Sequence, residues 1–319
     1  METALLISIL AVAIQAGTSL VYATIGEIFA ERSGILNLGV EGMMIMGAVV
    51  AFAGAYHTGS AWAGLALAIL IGGLMALIHA FLTISLRADQ VVTGLALTIF
   101  GTGLASFLGQ RMGPDGNPLV GLVGPRFQKI PLPGLSDIPV IGPAVFNQDM
   151  LVYLMFLTVP LAGYWLYRTR PGLHLRSVGE SPATADALGI NVARTRYLYT
   201  IAGGMLAAVG GAHLSLAYTP GWTENLTGGR GWIAIALVIF ATWDPFRALL
   251  GALLFGGVNA IQFRLQAAGT TIPAPFLSML PYIFTIVVLV IVTVYESFSK
   301  RVGAPAALGL PYIRGERTG

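Results

Sequence analysis

The stretch ALLISILAVAIQAGTSLVYATI, residues 4–25, runs for 22 residues without one Asp, Glu, Lys or Arg. A helix rises about 1.5 Å per residue, so this run reaches roughly 33 Å, enough to cross a hydrocarbon core about 30 Å thick. Inside lipid every backbone N–H and C=O must find its partner within the chain, and a continuous apolar run meets that demand as a helix. The run is too long for a secretory signal, has no basic segment ahead of it and leads directly into further apolar sequence. It is expected to be a retained membrane helix.

The same length test succeeds repeatedly along the chain. Of 319 residues, 56% are hydrophobic and 10% charged, against roughly 25% charged in an average soluble domain. Runs bounded by charge, Gly or Pro predict about nine spans, within a range of eight to ten: 4–25, 35–56, 61–83, 91–110, 150–167, 197–219, 231–243, 247–265 and 275–296. The short 231–243 is expected to begin earlier or to tilt. The fold class is all-α, a polytopic transmembrane helical bundle making one membrane domain over residues 1–319. Without cysteine there is no disulfide framework and no Cys-based metal site, and a net charge of +3 on scattered basic residues does not make a nucleic-acid surface.

Basic residues accumulate in cytoplasmic loops and so report orientation. Residues 168–196 hold Arg168, Arg170, Arg176, Arg194 and Arg196. Placing them inside also places Arg32, Arg87, Arg247, Lys300, Arg301, Arg314 and Arg317 inside. Arg111, Arg126, Lys129, Arg230 and Arg264 remain outside, twelve against five. Nine spans then put the N-terminus outside and the C-terminus in the cytoplasm.

Three regions break the simple pattern. Residues 26–42, GEIFAERSGILNLGVEG, mix Glu27, Glu31, Arg32, Asn37 and Glu41 with four glycines, which predicts an interfacial turn running into an interrupted helix. Residues 111–149 carry seven prolines and predict an irregular external cap. Residues 220–231, PGWTENLTGGRG, predict a re-entrant turn, which is tolerated at membrane depth only against protein or a watery cavity.

The clearest local signal is RTRPGLHLRSVGESPATADALGINVARTRY, residues 168–197. Ser181 suits an N-cap, Pro182 a first helical turn and Gly189 a left-handed stop, so a helix of about two turns is expected between basic arms. Its apolar face, Ala183, Ala187 and Leu188, fits a partner's groove, as a helix coupling the membrane domain to an ATPase would. An ordinary helix on the membrane surface has the same pattern. Asn37 and Glu41, four residues apart, share a helical face and either line a path or hold the broken helix together through backbone amides. Gln15, Gln90, Thr93, Thr98, Asn259, Gln262, Glu224 and Asn225 are the other polar groups placed at membrane depth. From these, Asn37, Glu41, Gln90, Thr93, Asn225 and Gln15 are the candidate path residues, and their mostly neutral character suits an uncharged polyhydroxylated solute. His213, among glycines and alanines, is expected to be an interhelical contact. Gly203, Gly204, Ala207, Gly210 and Gly211 form a close-packing stripe.

There is no G-x-x-x-x-G-K-[ST] phosphate loop, no H-E-x-x-H pair, no G-x-S-x-G elbow and no ladder of buried acids and bases. The chain is therefore not expected to be an enzyme.

At GEIFAERSGILNLGVEGMMIMGA, residues 26–48, the sequence resembles the permeases of ATP-binding-cassette importers for ribose, other simple sugars, nucleosides and branched-chain amino acids. The nucleoside branch carries an E-R-S-G-x-x-N-L-G-x-E-G-M-M stretch much like residues 31–44. Ribose permeases carry G-G-I-D-L-S-V-G, with Asn37 here at the Asp position. The similarity continues at ADQVVTGL, residues 88–95, and at VGESPATADALGI, residues 178–190, which resembles the family's coupling segment. The resemblance implies coupling to an ATPase through Gly179, Glu180, Ser181, Pro182, Ala185, Asp186 and Gly189. It further implies a second, non-identical permease, a cytoplasmic ATPase carrying ATP-Mg and an external solute-binding lipoprotein, in the inner membrane of a bacterium. No cofactor is expected on this chain. The same architecture importing a simple sugar or a branched-chain amino acid is an alternative, and an ion-coupled secondary carrier is one of a different class.

Overall fold

The computed structural model describes residues 2–267, 269–299 and 303–314; Lys300, Arg301 and Arg317 of the charge count lie outside them. The order of elements is α1 (Glu2–Arg32), α2 (Val40–Thr58), α3 (Ala61–Ala80), α4 (Gln90–Gly109), β1 (Lys129–Pro131), α5 (Ile141–Val145) and β2 (Asn147–Asp149). There follow α6 (Met150–Arg168), α7 (Arg170–Glu180), α8 (Pro182–Ala187), α9 (Val192–His213), α10 (Arg230–Phe240), α11 (Pro245–Ala267) and α12 (Ala274–Ser299). Strands β1 and β2 pair antiparallel, Ile130 opposite Gln148, within the segment 111–149. Among the described residues seven helices have the length and apolar composition to cross a membrane, and two shorter apolar stretches, Arg230–Phe240 and Pro275–Val287, accompany them.

Helices α1, α2, α3 and α9 form the centre, with α11 along α1 and α4 against α2. The apolar windows of α1, α2 and α9 are 72–78% buried and that of α4 only 28%, which puts α4 at the rim of the bundle. Since lipid is as apolar as a leucine side chain, close packing of small residues is what draws membrane helices together. The stripe on α9 does this on several sides: Gly203 meets Gly26, Gly210 meets Ser19, Gly204 meets Gly72 and Ala76, and Gly211 meets the backbone of Met44. Both α3 and α9 end in one π-helical turn, Phe81–Ser85 and Leu214–Tyr218.

Three sequence boundaries are corrected. Glu27, Glu31 and Arg32 belong to α1, so the interruption is residues 33–39 and α2 begins at Val40 rather than at 35. The basic arm before Ser181 is helical as α7, and α9 starts at Val192. Helix α10 neither begins earlier than 230 nor reaches full span length, because Gly229 at φ +83° sets its start.

Two faces result. On one, the segment 111–149 covers the ends of α2, α3, α4 and α9: Phe127 N–H donates to Leu216 O at 2.8 Å, His57 Nε2 lies 2.6 Å from Met112 O, and Trp62 meets Phe127 edge-on. The opposite face carries the end of α1, helices α7 and α8, the start of α9 and residues 303–314.

Packing makes opposite demands at two glycines. A side chain at Gly204 would strike Gly72 O and Ala76, whereas Gly103, on the exposed side of α4, has open space around it. Gly204→Val is expected to cost about 1–3 kcal/mol or more through overpacking. Gly103→Ala is expected to gain about 0.5–1 kcal/mol through helix propensity. Thermal midpoints in detergent, followed by tryptophan fluorescence, should fall for the first and hold or rise for the second.

Candidate functional site

Helix α1 ends in a Schellman turn: Ile35 N–H donates to Ala30 O, Gly34 N–H to Glu31 O, and Gly34 sits at φ +91°. The chain then folds back beside α1 without helical hydrogen bonds of its own. Side chains from three helices supply them. Leu36 N–H donates to Gln90 Oε1 at 2.7 Å and Asn37 N–H to Glu27 Oε1 at 2.9 Å. His79 Nε2 lies 3.1 Å from Leu36 O, and Thr98 Oγ1 donates to Leu38 O at 2.8 Å. Asn37 Oδ1 accepts from Gly39 N–H at 3.0 Å, closing the turn into α2. Most of the polar backbone of the interruption is thus matched inside protein, as buried peptide groups require.

A second interruption meets the first. After the π turn of residues 214–218 the chain passes Trp222, buried against Gly109, and descends to the start of α10. There Glu41, in the first turn of α2, takes over the free amides. Its Oε1 accepts from Thr227 Oγ1 at 2.5 Å and from Gly229 N–H at 3.0 Å, and its Oε2 from Gly231 N–H at 2.6 Å. A carboxylate at a helix N-terminus satisfies orphan donors and the positive end of the helix dipole together. Here a residue in the first turn of α2 serves the start of α10. The depth of this joint is fixed by Arg230, whose Nη1 donates to Ala16 O at 2.9 Å and Ser19 Oγ at 3.3 Å, halfway along α1. Its guanidinium lies 5.3 Å from the Tyr218 ring centre. Residues 220–229 are therefore a re-entrant segment.

The residues singled out from sequence separate into two groups. Asn37, Gln90 and Thr98 are buried at the first interruption and Glu41 at the joint, each with an oxygen bonded to protein, while Gln90 Nε2 is buried without a partner. Thr93 is half-buried, its hydroxyl donating to Asp89 O at 2.7 Å and Gln90 O at 3.1 Å. Asn225 is exposed at the tip of the re-entrant segment in a left-handed conformation, φ +56°. Gln15 lines a separate cavity of about 520 Å³ under the 111–149 segment, with Arg126, Lys129, Asp149 and Tyr218. His213 is fully buried, its Nε2 3.7 Å from Asp149 Oδ2, while Asp149 Oδ1 caps α6.

Sequence reading missed several partners. Glu224 Oε1 accepts from Gln110 Nε2 at 2.8 Å and Ser106 Oγ at 3.3 Å, giving an exposed polar cluster beside Asn225. The four-residue spacing of Ser106 and Gln110 on α4 was the available signal. Thr227 gave none, and Arg230 was assigned to an outer loop because it precedes an apolar run.

On the opposite face, α8 starts at Pro182 and ends before Gly189 at φ +86°. Ser181 occupies the N-cap position, yet its hydroxyl bonds Thr184 Oγ1 at 2.7 Å rather than a backbone amide. Ala185 is buried between Val178 and Val192. Gly179 has no room for a side chain against Arg32 O, and its own carbonyl accepts from Ala307 N–H at 2.8 Å. Glu180 Oε2 accepts from Ala306 N–H at 3.3 Å, and Asp186 Oδ2 pairs with Arg314 Nε at 3.0 Å. Arg196, counted among loop charges, is buried in α9 and donates to Ser33 O and Leu310 O, each at 3.1 Å.

The family model described as the branched-chain amino acid transport system permease component matches residues 8–293. A Haloferax volcanii protein provisionally named as a glucose ABC transporter permease, TsgC13, is 40% identical over 94% of this chain and 96% of its own length. The nucleoside ABC transporter permease NupC of Lactococcus lactis is 39% identical over 93% and 94%. The guanosine ABC transporter permease NupQ of Bacillus subtilis is 35% identical over the same shares, 93% and 94%. Among solved structures, an inward-facing ABC transporter provisionally of the metal-chelate type superimposes with a TM-score of 0.50 at 18% identity, over 89% of this chain and 84% of that one. That likeness bears on the fold alone. With the family model covering most of the sequence and relatives at 35–40% identity, the chain is a permease subunit of an ABC transporter and belongs to the branched-chain amino acid transport system permease family.

Proposed function

We propose that this permease works in an importer and that its solute is a nucleoside. The observation that carries the reading is the joint at Glu41, where the first turn of α2 supplies the carboxylate that receives the start of α10. Interrupted helices at the midplane are where transporters expose polar groups to solutes while keeping backbone satisfied. Polar groups stand beside this joint: Gln110, Glu224 and Asn225, exposed, and Ser106, half-buried. A carboxylate flanked by amides and a hydroxyl suits ribose hydroxyls. The names of NupC and NupQ support a nucleoside. The glucose name of TsgC13 favours the second reading, a simple sugar, which the same cluster would also receive.

In this scheme the 111–149 face lies outside and takes solute from an external binding lipoprotein, with Gln15 near the mouth. Asn225 and Thr93 face the path, which a second, non-identical permease completes, while Asn37, Glu41 and Gln90 shape the joint. The N-terminus lies outside and residues 303–314 lie in the cytoplasm. A cytoplasmic ATPase carrying ATP-Mg meets α8 through residues 179–189, and its closure rocks the bundle between inward-facing and outward-facing states. Alternating access of this kind needs two states a few kcal/mol apart.

Four measurements bear on this reading. In proteoliposomes, uptake of labelled nucleoside is expected only with the ATPase subunit and ATP present; uptake that persists without the ATPase points to a secondary carrier. Pro182→Gly and Glu180→Ala are expected to abolish ATP-driven uptake while membrane insertion is unchanged, and normal uptake would refute coupling through α8. Glu41→Gln removes charge-assisted bonds worth about 1.5–3 kcal/mol each and should lower the thermal midpoint. Glu224→Gln and Asn225→Ala should reduce uptake severalfold with the midpoint unmoved.

A further inference from the structure

Three segments far apart in sequence close around one cavity of about 410 Å³ on the α8 face. The turn after α3 brings Arg87, α8 and the connection after it bring Asp186, Gly189 and Asn191, and the segment 303–314 brings Tyr312 and Arg314. A segment outside the helices stays in place only where it is tied down. This one is tied down by its backbone: Ala307 N–H to Gly179 O, Gly309 N–H to Gly34 O at 3.2 Å, and Leu310 O to the buried Arg196. Pro305 and Ala307 are buried beneath it.

The surface so formed has a definite chemistry. Two guanidiniums, Arg87 and Arg314, face one carboxylate, Asp186, leaving one positive charge unmatched. Leu86, Leu188 and Leu310, 60%, 77% and 55% exposed, stand on the segments that form the rim. Apolar side chains around a charged hollow fit a folded protein surface, with aliphatic contacts around one acidic anchor.

We propose that the ATPase-docking surface of this chain is composite: residues 84–87 and 303–314 join α8 in it, and the cavity between them receives an acidic side chain of the ATPase. The proposal rests on the reading that α8 meets the ATPase. Its consequence is mechanical. A push on this surface passes through the bonds of residues 306–310 to Gly179, Gly34 and Arg196, and so reaches the turn that ends α1.

The chain contains no cysteine, so single cysteines report position directly. In the assembled transporter, a benzophenone maleimide placed at Leu188→Cys or Leu310→Cys is expected to photocrosslink to the ATPase. At Val123→Cys, on the 111–149 face, it is not. The pair Arg87→Glu with Arg314→Glu, both at exposed positions, should weaken ATPase retention roughly tenfold, about 1.4 kcal/mol, with an unchanged thermal midpoint. Crosslinking from 188 but not from 310, or full retention by the charge-reversed pair, overturns the composite surface and leaves docking at α8 standing. Absence of ATPase crosslinks from both positions removes the docking reading itself.

Discussion

The structure depends on one constraint: a peptide group in hydrocarbon has no water to turn to. Helices satisfy it internally, which is why most of this chain is helical. Where the chain departs from helix, at 33–39 and at 220–229, the departure is matched by named side chains, Glu27, His79, Gln90 and Thr98 for the first and Glu41 for the second. An unmatched buried amide costs several kcal/mol in lipid. Glu41 is therefore required by the backbone it serves before any question of solute arises.

That requirement shapes how the molecule can move. The contacts of α1, α3 and α9 are backbone against backbone through Gly26, Gly72, Gly203 and Gly204, and such packing has little room for continuous deformation. The interruptions differ, because their bonds run from flexible side chains to isolated amides. Each charge-assisted bond is worth about 1.5–3 kcal/mol, the same scale as the gap between two conformational states. The joint is firm enough to define one state and weak enough to be exchanged for another set of partners.

Much of the fold was legible because its rules are local. A run such as residues 4–25 declares a span by length alone, and Gly189 marks the end of α8 because a left-handed residue favours glycine there. The polar glycine-rich run at 220–231 announced a re-entrant turn for the same reason. What sequence hid is non-local. Glu27, Glu31 and Arg32 looked like a loop, yet they fit inside α1 because Asn37, Trp243 and Thr242 arrive from elsewhere to receive them. The candidate path residues were chosen for polarity at depth, which does not distinguish a group that faces a solute from one that holds backbone. Asn37 and Glu41 hold backbone, and Ser106 and Gln110, which meet the exposed Glu224, went unremarked. The pinning of residues 303–314 rests largely on backbone hydrogen bonds, for which no side-chain pattern exists to be read.

The charge bias along the chain gains from the same distinction. Orientation is set by Lys and Arg in short loops near span ends, not by cations inside the bundle. Three of the residues counted, Arg32, Arg196 and Arg230, lie within the fold, each donating to backbone carbonyls of another part of the chain. Removing two from the inside count and one from the outside count leaves ten against four, about the same ratio as before. The orientation we propose, with α8 toward the cytoplasm, thus keeps its support once these three arginines are assigned to the structure they hold. The acidic residues of that face, Glu180 and Asp186, do not oppose it, because carboxylates contribute little to the rule and both are engaged by the segment 303–314.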